Sequence, residues 1–185
     1  MFDPSQRRIV LNLARTAIAS FLNTNRVPSV SFDEFLKARG AAFVTLKIQD
    51  ELRGCIGSTD FSQPLGETIV QCAISAAFRD PRFPPLVKHE LDLIDLEVSL
   101  LSNFRRIDDP EKIIAGTHGV MISKEYHRGL LLPQVATEYD WDRDTFLSYT
   151  CRKAGLNPDA WKDPDTIIEI FEAEVFGEKD SYDQA

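Results

Sequence analysis

The sequence predicts an α+β fold, with a largely antiparallel or mixed sheet and helices outside it. Two observations point there. Several segments carry apolar residues at helical spacing, and the strand-like segments come as hairpins rather than alternating regularly with helices. Of the 185 residues, 43% are hydrophobic, an ordinary share for a globular protein. Such a chain can bury a core without metals or disulfides. Its length fits one domain or two small subdomains sharing a core, and 1–185 is read as a single domain with a polar tail from about Glu178.

Ile9, Leu13, Ala17 and Phe21 recur every four residues behind a capping Ser5, which predicts a helix over about 5–22. Residues 33–39 fit a short helical turn closed by Gly40. Residues 42–48 alternate as a strand, Gln49-Asp50-Glu51 turns, and 52–58 return. Gly54 and Gly57 mark a bulge or a close backbone approach in that second strand. Ser62-Gln63-Pro64 opens a helix with Leu65, Ile69, Ala73 and Ala76 inside, and Asp80-Pro81 stops it. Residues 91–102 read as one long apolar strand with Glu97 set in it. Asp109-Pro110 starts a short helix ending near Gly116, and 119–123 with 129–133 form a second hairpin. Asp142 or Asp144 caps a helix running to Ala154, with Gly155 at its C-terminal end. Residues 166–178 alternate as a last strand, and the polar residues beyond it are expected to fray.

The formal net charge is -8, which argues against nucleic-acid binding, although a local basic patch can form around Arg53, Arg79 and Arg82. No apolar run approaches the length of a membrane span, and the start, Met1 to Arg8, has no apolar core behind a basic stretch. No signal peptide is therefore expected, and the cytoplasm is the expected compartment. Three widely spaced cysteines imply neither a disulfide framework nor a zinc site. No His, Cys or carboxylate spacing matches a short metal motif, and no glycine-rich phosphate loop is present. No cofactor is assigned.

The residues best suited to chemistry centre on Arg53-Gly54-Cys55-Ile56-Gly57. A cysteine between glycines has accessible backbone, an arginine beside it favours the nucleophilic thiolate, and freed N–H groups can hold an oxyanion or phosphate. The competing reading is a structural bulge with a packed cysteine. Arg79 and Arg82 flank Asp80 and can clamp an anion, or Arg79-Asp80 is a surface ion pair of little energetic weight. Glu97 is a candidate acid or base if buried, and otherwise faces solvent or pairs with an arginine. Among three histidines, His118 is chosen as a base for Cys55 because Gly116 and Gly119 allow close approach. Cys72 and Cys151 read as core, and Trp161 as a core or subdomain anchor. Gln134 closes an apolar run read as a buried strand entering a turn, where it lines a pocket or satisfies backbone.

The ordered set Leu52-Arg53-Gly54-Cys55-Ile56-Gly57, Asp80-Pro81-Arg82-Phe83, Glu97-Val98-Ser99-Leu100-Leu101, His118-Gly119-Val120 and Leu131-Leu132-Pro133-Gln134-Val135 resembles the AMMECR family. Trp141, Phe146-Leu147, Cys151 to Leu156 and Trp161 fit it as well. The resemblance spans nearly the whole chain. It implies a barrel-like, mostly antiparallel sheet with outer helices, arranged as two repeated units or as a larger and a smaller subdomain, with the Arg53 to Gly57 turn near the cleft between them. It also implies association with Memo-type and radical S-adenosylmethionine proteins, which are encoded beside some family members. The family's biochemical role is not settled. Three functions therefore stand side by side. One is an enzyme with Cys55 as nucleophile and His118 or Glu97 moving protons. Another is a small-molecule or nucleotide-binding module using Arg53, Gly54, Gly57, Arg79, Arg82 and Gln134. The third is a scaffold for partner proteins.

Overall fold

Asp3 rather than Ser5 starts the first helix. Its carboxylate accepts from the backbone N–H groups of Ser5 and Gln6, while the Gln6 side chain accepts from the Asp3 N–H, a reciprocal cap that begins α1, Pro4–Thr24. In a computed structural model that describes residues 1–181, the chain divides into two compact units, Met1–Leu101 with the segment from Glu174, and Ser102–Ala173. Each has its own apolar core.

The first unit holds α1, the short α2 (Glu34–Lys37), β1 (Ala41–Ile48), β2 (Glu51–Ser58), α3 (Leu65–Phe78), β3 (Asp95–Leu101) and the returning β8 (Ala173–Gly177). Its sheet runs β2-β1-β3-β8, with β2 at one edge. Val10, Ala14, Ala17 and Ile18 of α1 pack with Ile69, Ala73 and Ala76 of α3 over Val44, Leu46, Leu96 and Val98. The β1–β2 hairpin turns on Gln49 and Asp50, both with positive φ (53° and 65°), so two residues connect paired Ile48 and Glu51. Ser62 does not cap α3; its hydroxyl binds Asp60, and Pro64 stands at the N-cap. The strand expected over 91–102 begins only at Asp95, because Lys88–Glu90 forms a 3₁₀ turn that carries the chain through Ile94.

The second unit holds β4 (Arg105–Ile107), β5 (Gly119–Lys124), β6 (His127–Leu131), α4 (Pro133–Glu138), α5 (Arg143–Lys153) and β7 (Ile167–Phe171). Its sheet order is β4-β7-β5-β6. Phe146, Leu147 and Cys151 of α5 cover Val120, Ile122, Ile168 and Ile170. Asp142 caps α5 by accepting from the Thr145 N–H, and Gly155 takes the left-handed conformation after it (φ 75°).

The α+β class and the antiparallel hairpins are as expected, but neither sheet closes, so the barrel-like expectation is corrected to two open four-stranded sheets. The reason lies at Glu172. The segment expected as one strand over 166–178 breaks there into β7 and β8, which serve different sheets. Residues 133–138 form α4 rather than the end of a buried strand, since Pro133 suits the first helical position. Glu178, expected in the polar tail, takes part in the fold: its carboxylate accepts from Arg15 and from the Leu96 N–H. Residues 182–185 of that tail lie outside the described residues. No helix among the described residues is long and apolar enough to cross a membrane.

Gly54 is where β2 passes α3. A Cβ there would stand 2.2 Å from the Ala76 carbonyl oxygen, a backbone atom that cannot rotate away. Gly54→Ala is therefore expected to lower unfolding stability by about 1–3 kcal/mol, the usual cost of overpacking, read from a lower urea midpoint with an unchanged slope.

Candidate functional site

The pairing of β1 with β2 slips by one residue between Leu46 and Lys47. Gly54 faces Leu46 and Leu52 faces Lys47, so Arg53 is the extra residue of a β-bulge. The glycines predicted a bulge here, and it falls one residue before Gly54. Released from the ladder, the Arg53 side chain reaches Glu90 through two parallel hydrogen bonds, Nε to Oε1 at 2.8 Å and Nη2 to Oε2 at 2.9 Å. Only 11% of the Arg53 side chain and 18% of the Glu90 side chain are exposed. The Arg53 guanidinium holds the Glu90 carboxyl below its ordinary pKa.

At Cys55 the edge strand is finished by side chains instead of by another strand. The Cys55 N–H donates to Asp80 Oδ2 at 2.9 Å, and the Cys55 carbonyl accepts from Arg82 Nη2 at 3.1 Å. Asp80 and Arg82 are themselves joined, Nη2 to Oδ2 at 2.7 Å and Nε to Oδ1 at 2.9 Å. The Arg82 N–H donates to Oδ1 as well. A carboxylate and a guanidinium thus replace the acceptor and donor of a neighbouring strand. The Asp80 side chain is 1% exposed, and Arg82, together with the backbone N–H groups, holds its carboxyl far below the usual carboxylate range. Phe83 lies between the two arginines, its ring centroid 6.0 Å from the Arg53 guanidinium carbon and 5.5 Å from that of Arg82.

With its backbone held this way, Cys55 is directly opposite Thr45, and Thr45 is directly opposite Glu97. The three form one row across β2, β1 and β3. Thr45 Oγ1 donates to Cys55 Sγ at 3.3 Å, and Lys47 Nζ donates to Glu97 at 3.1 Å. Cys55 is half-buried, whereas Cys72 and Cys151 are fully buried. Burial pushes the Cys72 thiol up to about 12 and raises that of Cys151. Both read as core in the sequence, and both pack there.

The other sequence candidates are engaged as follows. Arg79 is exposed, with its guanidinium carbon 5.7 Å from the Phe21 ring centroid; Asp80 pairs with Arg82 and not with Arg79. Gly57 sits beneath Phe43, whose ring occupies the space a Cβ would need. Gly54 and Gly57 thus each have a packing reason. Glu97 pairs with a lysine two residues along the neighbouring strand, not with an arginine. His118 belongs to the second unit, and its Nδ1 accepts from the Ile114 N–H at 3.1 Å, which leaves Nε2 to carry the ring proton in the neutral form. Gln134 lies in the first turn of α4. Sequence reasoning missed Thr45, Lys47 and Glu90. Period-two alternation with a hairpin register would have found Thr45 and Lys47, while Glu90 carries no local signal. No group of His, Cys, Asp and Glu among the described residues is arranged to hold a metal ion.

Two open antiparallel sheets, each with helices packed on it, and a cysteine held at a sheet edge define the class. The AMMECR1 family model matches residues 11–176, and the chain belongs to that family. A protein of Methanothermobacter thermautotrophicus is 44% identical over 180 residues, covering 92% of this chain and 93% of that protein. Protein MK0488 of Methanopyrus kandleri is 44% identical over 181 residues, covering 92% of this chain and 87% of the relative. The crystal structure of uncharacterized protein PH0010 from Pyrococcus horikoshii superposes with a TM-score of 0.88 at 40% identity, covering 92% of this chain and 90% of that one.

Asp80→Asn removes the charge that Arg82 faces and weakens the hold on the Cys55 N–H. The expected loss is about 2–3 kcal/mol, below the cost of breaking a fully buried pair because Arg82 is half in water. Since the folded carboxyl is depressed, its contribution is present above the unfolded value near ~3.9 and is lost as pH falls through the folded value. The stability gap between wild type and Asp80→Asn, measured by denaturant unfolding, should stay flat above about pH 5 and narrow below about pH 4.

Proposed function

We propose that this AMMECR1 protein is an enzyme, or the catalytic part of one, in which the Cys55 thiol attacks an electrophilic carbon and Glu97 moves the accompanying proton. One observation supports this above the others: the row Cys55, Thr45, Glu97, with the Thr45 hydroxyl hydrogen-bonded to the sulfur. Two strand spacings separate the ends of that row, about 10 Å, so a small substrate lying over Thr45 would reach both thiol and carboxylate. On attack, Sγ bonds to carbon and the electron pair moves to the electrophile's oxygen, while the thiol proton travels to Glu97 with the Thr45 hydroxyl, which stands between them in the row, as the relay. Lys47, two residues from Thr45 and paired with Glu97, supplies positive charge for that oxygen. The Cys55 N–H is unsuited to the task because Asp80 already accepts from it. Arg53 and Arg82 each face a carboxylate of their own, which suits positioning better than anion capture.

A second reading rests on Arg53. Its Nη1 is buried without a hydrogen-bond partner among the described residues, an uncommon state for a guanidinium. An arriving carbonyl or carboxylate would complete the fork, making the same corner a binding site in which sulfur plays no part. Thermal stabilisation of wild type and Cys55→Ser by the same carboxylate metabolite, abolished by Arg53→Lys, would favour binding over catalysis.

For the first reading, iodoacetamide on the folded protein should modify Cys55 selectively, with Cys72 and Cys151 reacting only after denaturation, as read by peptide mass spectrometry. A Cys55 that stays unmodified until the chain unfolds would rule out the nucleophile role.

A further inference from the structure

The second unit carries an aromatic ladder that the Cys55 chemistry does not use. Tyr139 stacks on Trp141 with ring centroids 4.9 Å apart and planes 20° from parallel. Trp141 stacks in turn on Tyr149 at 4.0 Å and 17°. The Arg152 guanidinium closes the far end, its carbon 5.0 Å from the Tyr149 centroid. Local structure explains the alignment. Tyr139 ends α4, Asp140 turns the chain at φ 51°, the Trp141 N–H returns to the Ala136 carbonyl, and Asp142 starts α5. Tyr149 and Arg152 then share a face of α5 at i and i+3.

The ladder is finished at one end only. Tyr139 is 64% exposed, so one face of its ring is covered by Trp141 and the other lies open. A ring face attracts a cation, and a planar guanidinium fits it best because it stacks and is weakly hydrated. Arg152 shows that this stack accepts one. The charged residues around Tyr139 in the sequence are mostly acidic, Glu138, Asp140, Asp142 and Asp144, with Arg143 among them. Asp144 is paired with Arg143, and Asp142 is occupied in capping Thr145. Glu138 and Asp140 are exposed and have no cationic partner among the described residues. A phosphate backbone would meet repulsion here, which sets nucleic-acid bases aside as occupants.

We propose that this ladder docks an arginine-bearing segment of a partner protein, one guanidinium lying on the outer face of Tyr139 with Glu138 and Asp140 accepting its N–H groups. The reading stands on the second unit alone and is independent of Cys55.

The test uses the full chain and a short glycine–arginine repeat peptide, with lysine and citrulline counterparts and free arginine, measured by titration calorimetry. The arginine peptide should bind saturably, and Tyr139→Ala should weaken it about fivefold, the scale of an exposed cation–π contact. Tyr139→Phe should bind as wild type does. Asp140→Asn, which tolerates the left-handed turn, should weaken binding without loss of fold. Citrulline should abolish binding, because the ring face needs charge. No saturable binding of the arginine peptide, or equal binding to Tyr139→Ala, would overturn the proposal. So would a lysine peptide that binds equally well, which would show plain charge attraction. Free arginine binding as tightly as the peptide would make this a small-molecule site and overturn the partner segment.

Discussion

The buried carboxylate of Asp80 is the constraint on which the candidate site depends. An edge strand exposes unpaired N–H and C=O groups, and β2 is an edge strand. Asp80 and Arg82 satisfy both groups of Cys55 and so end the sheet without another strand. The same carboxylate ties the residues after α3 to β2, while Gly54 lets β2 pass close to the Ala76 carbonyl. Cys55 cannot then rotate its backbone, and its sulfur is directed along the row that holds Thr45 and Glu97. The bulge at Arg53 is the companion constraint. It swings the guanidinium to Glu90 and onto Phe83, so that Arg53, Phe83 and Arg82 form one packed wall beside the cysteine.

This arrangement joins two separated pieces of sequence. Arg53-Gly54-Cys55 and Asp80-Pro81-Arg82-Phe83 stand out individually as residue patterns, and the fold shows why they occur together. Each arginine is matched with a carboxylate before any ligand arrives, and Arg53 Nη1 is the exception that keeps a binding reading in play. Membership of the AMMECR1 family fixes the fold and leaves the chemistry to be argued from such details.

Much of the fold was legible in the sequence. Four-residue periodicity marked α1 and α3, alternation with a polar turn marked the first hairpin, two apolar segments opened by Gly119 and Gly129 marked the second, and Gly155 marked the end of α5. What escaped was decided by tertiary pairing. The period-two phase slips at Ile170-Phe171, but nothing local says that residues 167–171 and 173–177 belong to different sheets. The barrel expectation failed at that point. Of the site, Cys55 and Glu97 were readable as residue types, and the register brings them into one row. Glu90 was not readable, since its partner Arg53 is remote in sequence and its role comes from a bulge that re-aims one side chain. The sequence left open an anion clamp of Arg79 and Arg82 or an ion pair of Asp80 with adjacent Arg79; the turn after α3 directs Asp80 to Arg82 and sends Arg79 to Phe21.

The most direct test of this account is amide hydrogen exchange at Cys55, followed by NMR in wild type and in Asp80→Asn. The account predicts a slowly exchanging Cys55 N–H in wild type despite its place on an edge strand, with protection reduced in Asp80→Asn while the amides of α3 stay protected. A Cys55 amide that exchanges in wild type as fast as an unpaired edge amide would contradict it, and with it the claim that Asp80 holds the cysteine in place.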